Sequence, residues 1–257
     1  MKITALTENT TQCGLPTEHG LSLYIETEKH TVLFDMGQSD LFAQNAASLG
    51  VDLRKADAAV LSHGHYDHGG GLKTFLEIND RAPVYMSRYA FEPHYNGKEK
   101  YIGIDPDLEG NQRIILTEGV TKIADKLTLF SCNGREKLFD PGSDGLTVKQ
   151  NGTLTPDDFR HEQYLLIEER GKRVLVSGCS HKGILNLAAW FKPDVLVGGF
   201  HLMNQPLDDR LKALAEQLNR CRTDYYTCHC TGAAQYAFLK PYMNRLHYLA
   251  AGDTIEV

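Results

Sequence analysis

Ser62-His63-Gly64-His65-Tyr66-Asp67-His68-Gly69-Gly70-Gly71 is the stretch on which the reading of this chain turns. Three of the eleven histidines and one aspartate fall within it, directly after the short apolar run Ala58-Ala59-Val60-Leu61. In an extended chain side chains alternate, so His63 and His65 point to the same side and can bind one ion. Asp67 and His68 lie beyond the strand end, where the chain turns toward a helix, and would face a second ion beside the first. Gly64 and the glycines at 69, 70 and 71 let backbone crowd close to the metals. Neutral imidazole with carboxylate suits Zn²⁺, and also Fe or Mn. A polar loop with chance histidine content would not place four ligands at such regular spacing after an apolar strand.

Outward from this segment the chain alternates strands and helices. Strand-like runs occupy 2–7, 21–27 and 31–34, the last ending at Asp35. A short helix over 41–49 stops at Gly50. A helix follows the histidine segment from 70 to about 78, and 83–86 is another strand. Residues 87–112 are rich in Tyr, Lys, Gly, Asp and Pro without a sustained period, and read as a long, partly helical insertion. Strands resume at 113–116 and 126–132. A polar loop runs from 133 to about 160, and strands at 163–168 and 173–177 flank Gly171. A helix over 181–191 and a strand over 194–198 follow. Next comes an amphipathic helix carrying Leu207, Leu211, Leu214, Ala215 and Leu218 on one face. A strand at 224–227, a helix start at 233–238 and closing strands over 246–257 complete the chain. Strands outnumber helices, and each half carries strands followed by strand–helix units. That pattern predicts an α/β (α+β) fold of two packed sheets with helices outside. No linker divides the halves, so one domain over 1–257 is expected, with an insertion at about 87–112.

Composition narrows the function. The 257 residues are 42% hydrophobic and 23% charged, ordinary for a globular chain and unlike a disordered one. Such a length can bury about 70–75% of its unfolded surface. No apolar run approaches the roughly 18–20 residues of a membrane helix, and the start lacks the apolar core of a signal peptide. The formal net charge of −6 gives no basic surface for nucleic acid. A cytoplasmic protein with six reduced cysteines follows as the expectation. Cys228-His229-Cys230 lacks the spacing of a zinc ribbon, so these cysteines are expected to pack rather than coordinate.

The His-x-His-x-Asp-His segment resembles the signature of the metallo-β-lactamase fold hydrolases, and the resemblance extends over the whole chain. It implies a four-layer αββα sandwich of two mixed sheets with helices on the outer faces. Thr31-Val32-Leu33-Phe34-Asp35-Met36-Gly37 looks like the family's Asp-x-Gly turn, which would make Asp35 a hydrogen-bonding support for the ligand loop. His161 opens a strand pair that ends at Val176-Ser177-Gly178-Cys179, as the family's third histidine and bridging aspartate do. His229 follows a late strand, as the last histidine ligand does. The chain departs from the pattern at Cys179, where most members have Asp. A thiolate there can bind zinc; alternatively His181, two residues on, supplies the ligand. The resemblance thus assigns His63, His65 and His161 to one ion and Asp67, His68 and His229 to another. Cys179 or His181 lies between or beside them.

A narrower resemblance lies in four blocks: Asp158-Phe159-Arg160-His161-Glu162-Gln163, Gly178-Cys179-Ser180-His181-Lys182-Gly183, Gly198-Gly199-Phe200-His201-Leu202 and His229-Cys230-Thr231-Gly232. They are similar to the dihydropterin/ribofuranosylaminobenzene 5′-phosphate synthase-like branch. His181 and His201 each follow an apolar strand and so reach the strand-end face, as substrate contacts or proton carriers. His19, His30, His94 and His247 are read as ordinary hydrogen-bonded histidines.

The expected chemistry is hydrolysis of an ester-type bond by hydroxide shared between two divalent ions, most simply zinc, with Asp67 orienting it. The expected substrate is small and phosphate-bearing or otherwise anionic, and the branch resemblance implies a flat, pterin-like ring. Arg88, His94, Tyr95, Lys98, Lys100 and Tyr101 of the insertion could form a lid over it. An iron-dependent dioxygenase or oxidoreductase on the same fold is the alternative. The diiron oxygen-reducing type carries Glu where this chain has His65, which counts against that version. A non-catalytic, metal-containing ligand-binding protein is the third reading, weakened by the complete ligand set. The sequence fixes no oligomeric state.

Overall fold

The computed structural model describes residues 1–257. The first half runs β1 (Lys2–Thr7), β2 (Ser22–Glu26), β3 (Thr31–Phe34), α1 (Leu41–Ser48), β4 (Ala58–Val60), α2 (Tyr66–Gly69), α3 (Leu72–Ile78) and β5 (Val84–Ser87). It continues through β6 (His94–Asn96), β7 (Lys100–Tyr101), β8 (Ile114–Thr117), β9 (Val120–Ala124) and β10 (Leu127–Phe130). The second half runs β11 (Leu146–Gln150), β12 (Thr153–Pro156), β13 (Tyr164–Glu169), β14 (Lys172–Val176), α4 (Ile184–Phe191), β15 (Val195–Gly198) and α5 (Asp209–Asn219). β16 (Asp224–Thr227), α6 (Ala233–Leu239), β17 (Leu246–Tyr248) and β18 (Thr254–Glu256) close it.

Two seven-stranded sheets have the orders β18-β1-β2-β3-β4-β5-β8 and β17-β16-β15-β14-β13-β10-β9. Each is antiparallel on one side and parallel on the other: β3, β4, β5 and β8 run together in the first, β14 to β17 in the second. The strand period of two decides the layers. Ile3, Ala5, Leu23, Ile25, Val32, Phe34 and Val60 of the first sheet meet Leu127, Leu129, Leu165, Ile167, Val174 and Val176 of the second in one core cluster. The alternate residues face outward. Tyr24, Leu33, Ala59 and Leu61 receive Phe42 and Ala46 of α1 and Leu72 and Phe75 of α3. On the other sheet Tyr164, Leu166, Leu175 and Leu196 receive α4 through Leu187 and Phe191 and α5 through Leu211, Ala215 and Leu218. The four-layer sandwich is thus a consequence of alternation. Each fully buried Leu, Ile, Val or Phe contributes about 1.5–3 kcal/mol to it.

Several elements differ from the sequence reading. The stretch 133–160 contains the hairpin β11–β12, and β11 pairs with β6 from the insertion to make a third sheet, β12-β11-β6-β7. The insertion is therefore strand and turn; its only helical piece is a single turn at Pro106–Leu108. The amphipathic helix begins at its cap Asp208, which accepts from the Arg210 and Leu211 N–H groups, so Leu207 stays outside and 49% exposed. No helix is long and apolar enough to cross a membrane.

Candidate metal centre

The functional residues stand where the parallel strands of both sheets end. Asp35 follows β3 and Ser62 to His68 follow β4. On the second sheet Cys179 and His181 follow β14, His201 follows β15, and His229 follows β16. Asp35, Ser180, His201 and His229 all take positive φ, between 48° and 59°, a conformation that non-glycine residues avoid. Four of the chain's eleven non-glycine residues with positive φ thus sit at this rim. Glycine is required where backbones meet. A Cβ on Gly64 would lie 2.1 Å from the Ala90 carbonyl oxygen, and one on Gly70 would lie 2.3 Å from that of Gln38. Both glycines make room for neighbouring chain.

Asp35 is fully buried and organises the loop. Its Oδ1 accepts the Ser62 N–H at 2.6 Å, and its Oδ2 accepts the Ser62 hydroxyl at 2.7 Å. Having donated that proton, Ser62 Oγ accepts from His63 Nδ1–H at 2.8 Å. His68 Nδ1–H donates to Asp35 Oδ2 at 2.7 Å. On the far side His229 Nδ1–H donates to Asn9 Oδ1 at 2.8 Å. Each bond fixes a proton on Nδ1, so that Nε2 of the same ring is the nitrogen left to bind an ion, on His68 once the ion displaces its proton. Those nitrogens converge. His63 Nε2 lies 3.3 Å from His181 Nε2, and His68 Nε2 lies 3.2 Å from His229 Nε2. Two imidazoles on one tetrahedral ion at about 2.0–2.1 Å each require an N···N separation of about 3.3 Å. Asp67 Oδ2 sits 3.3 Å from His229 Nε2 and 3.8 Å from His68 Nε2.

Cys179 Sγ joins the two groups. It lies 3.2 Å from His68 Nε2, and its sulfur clusters with both His63–His181 and His68–His229. The two candidates that the sequence left open, Cys179 and His181, both face the centre. Burial holds the Cys179 thiol well above its ordinary range. A bound cation reverses this, because a coordinating thiol is deprotonated. Burial first, and crowding by other imidazoles second, hold His63, His65 and His181 well below the ordinary imidazole value, so these rings are neutral and ready to ligate. Burial would lower His68 too, but Asp35 and Asp67 outweigh it and push it up to about 9. The donor set, the facing Nε2 atoms and the unpartnered buried Nε2 of His65 fit divalent metal.

His161 is placed differently from the other candidates. Its Nδ1 accepts the Gly64 N–H at 2.9 Å, which puts its proton on Nε2, facing Asp157 Oδ2 at 3.4 Å. Its ring lies 5.8 Å from that of His63, against 4.9 Å for His181. It belongs to a buried cluster with His65, His94 and Asp157. Asp157 is held well below the usual carboxylate range: its burial is outweighed by hydrogen bonds from His161 and His94. His201 stands beside His181, ring to ring at 4.2 Å, with its Nε2 3.6 Å from Asp144 and both ring nitrogens without hydrogen-bond partners. Cys228 packs in the core between the sheets. Cys230 instead reaches the site: its sulfur accepts the His201 N–H at 3.2 Å and clusters with Cys179.

Sequence reasoning missed several residues. His94, set aside as an ordinary histidine, is fully buried and bonds Asp157 through Nδ1 at 2.8 Å. His19 approaches Asp67 Oδ2 at 3.3 Å. Glu8 accepts the His229 N–H at 2.5 Å and the Tyr248 hydroxyl at 2.9 Å. Glu162 accepts the backbone N–H groups of His181 and Lys182 at 2.7 and 3.0 Å. The only signal for the two glutamates was an acid flanking an apolar strand, Glu8 just after β1 and Glu162 just before β13. The insertion lies along the ligand loop, where Ile102 O accepts the Tyr66 N–H and His65 pairs with Gly103. Lys98 and Lys100 are exposed, and of the proposed lid residues His94 alone enters the histidine clusters.

Comparison with known proteins decides the family. The model of the metallo-β-lactamase superfamily matches residues 15–216. The chain belongs to the metallo-β-lactamase superfamily. A solved structure titled Tm1679, a metal-dependent hydrolase of the β-lactamase superfamily, aligns over 100% of this chain and 99% of its own, with 31% identity and a TM-score of 0.84. The Methanocaldococcus jannaschii protein named 7,8-dihydropterin-6-methyl-4-(beta-D-ribofuranosyl)-aminobenzene-5′-phosphate synthase is 28% identical over 100% of this chain and 96% of its own length. The uncharacterized protein MJ0448 of the same organism is 29% identical over 90% of each chain. Superfamily membership together with the histidine, aspartate and cysteine clusters supports a metal-dependent, hydrolase-like function.

Proposed function

We propose that the protein is a metal-dependent hydrolase that cleaves an ester-type bond in a small, anionic substrate at a dinuclear centre. His63, His65 and His181 would hold one ion, and Asp67, His68 and His229 the other, with the Cys179 thiolate between them. The observation that carries this reading is the pair of facing Nε2 atoms, His63 to His181 and His68 to His229, each at one tetrahedral span, with His63, His68 and His229 held by the hydrogen bonds behind their rings. Zinc suits the imidazole, carboxylate and thiolate set best, with Fe or Mn as substitutes. Such ions supply Lewis acidity toward a substrate oxygen and lower the pKa of water to about 7. The chain's own residues do the rest. Asp67 accepts a hydrogen bond from the attacking water and so aims it. His201, beside His181 and with free ring nitrogens, donates its N–H to the departing oxygen. Asp35, Ser62 and Asn9 keep three ligand rings in the binding tautomer.

The name of the relative with 28% identity, which carries a dihydropterin and an aminobenzene 5′-phosphate, supports a phosphate-bearing substrate with a flat ring. The test is metal identification on freshly purified protein together with a panel of chromogenic phosphomonoesters, phosphodiesters, lactones and thioesters. Turnover of one ester class that disappears on chelation is expected. A single iron per chain with no ester turnover would favour an oxygenase and overturn this reading.

A further inference from the structure

A cavity adjoins the metal centre, and no residue of the insertion lines it. Its volume is about 570 Å³, and His181 and His201 line the end shared with the centre. That size is typical of small-molecule sites, which span roughly 300–1,000 Å³. Phe139, Pro141, Leu185, Leu202 and Leu214 form apolar walls. The Phe139 wall is built in place by a buried residue of α4. Asn186 Oδ1 accepts the N–H groups of Leu138 and Phe139 at 2.9 Å each, and Asn186 Nδ2 donates to the Phe139 carbonyl at 2.6 Å.

The charges around the cavity run against an anionic occupant. Beside the two histidines, its charged lining is one guanidinium, Arg210, against three carboxylates, Asp140, Asp144 and Asp208, all four exposed. An anion entering the cavity would pass three exposed carboxylates for one guanidinium. The positive charge available to an anion is at the metal centre. We propose that the cavity takes the uncharged, apolar body of the substrate while the anionic ester end stays at the metal ions. This orientation rests on the hydrolase reading above and assigns the substrate class as an amphipathic ester, charged at the scissile end only.

Alkylphosphonates test it by binding alone. Isothermal titration of the metal-loaded protein with methyl-, butyl- and hexylphosphonate should show about fourfold tighter binding per methylene, the value for burying one CH₂. 3-Carboxypropylphosphonate should bind no tighter than methylphosphonate. Ala213→Trp, at an exposed position of α5 on the cavity wall, should remove the gain from chain length. It should leave the methylphosphonate affinity and the metal content unchanged. Equal affinity across the alkyl series, with methylphosphonate bound, would overturn the cavity's role and leave the hydrolase reading standing. A carboxylate tail that binds as tightly as butyl would overturn the orientation. No binding of methylphosphonate to metal-loaded protein would overturn both.

Discussion

Asp35 Oδ2 lies 2.7 Å from His68 Nδ1 and 2.7 Å from Ser62 Oγ, so one carboxylate oxygen sets the tautomer of His68 and, through the serine hydroxyl, that of His63. The two rings belong to different proposed ions. Both proposed ions would therefore depend on one buried side chain that binds neither.

Asp35→Ala should weaken metal binding about 10- to 100-fold, as loss of such outer partners does. It also leaves the Ser62 N–H, the Ser62 hydroxyl and His68 Nδ1–H buried without an acceptor. Each costs about 1–3 kcal/mol, so the melting temperature should fall as well. Competition against a chromophoric chelator, with a thermal melt alongside, checks both. Unchanged metal affinity would mean that Asp35 serves the fold alone.

His161 and His181 separate the two ligand sets. His181→Ala should reduce the bound metal to about one ion per chain, because a three-residue site loses a ligand. His161→Gln should keep the full metal content, since its Nδ1 lone pair is already spent on Gly64. Elemental analysis of both variants decides; the opposite pattern would restore His161 as ligand.

The pH dependence of the metal-free protein follows from His68. Its value is raised from 6.5 to about 9, because Asp35 and Asp67 outweigh the burial that would lower it. A raised value means the charged form is favoured by folding. The resulting stabilisation is full below about pH 6.5 and is lost as the pH rises through about 9, with an upper bound on the order of 3 kcal/mol. Melting of chelator-treated protein should therefore drop between pH 6.5 and 9.5. Zinc must displace that proton, so zinc affinity should climb over the same interval. A flat melting profile would show that His68 is neutral in the folded chain.

Gly64→Ala forces a Cβ against the Ala90 carbonyl, which is backbone and fully enclosed. Destabilisation of about 1–3 kcal/mol is expected. Gly134→Ala meets nothing within 4 Å and takes no positive φ, so it should change stability by less than about 0.5 kcal/mol. Urea unfolding of the two variants measures the contrast.

What the sequence made legible was short-range. His63, His65, Asp67 and His68 announce themselves because their spacing alone brings them together after β4. The layers are legible because Ile3, Leu23 and Val32 alternate with residues of the outer faces. Long-range geometry was not. His94 reaches His161 only because β6 pairs with β11, placing His94 opposite Val148 from more than fifty positions away. β11 itself buries only Leu146 and Val148, too few alternations to stand out in a polar stretch. His161 and His181 both adjoin apolar strands. What separates them is which ring the Gly64 N–H meets, a contact across 97 positions. The family resemblance placed His161 beside the first ion, but it carries no information about that N–H.

Anomalous diffraction at the metal absorption edge, from crystals of freshly purified protein, tests the central claim most directly. The account predicts two peaks about 3.5–4 Å apart. One should touch His63, His65 and His181, the other Asp67, His68 and His229, with Cys179 Sγ in contact. No peak in this pocket of histidines, even after addition of Zn²⁺ or Mn²⁺, would contradict it.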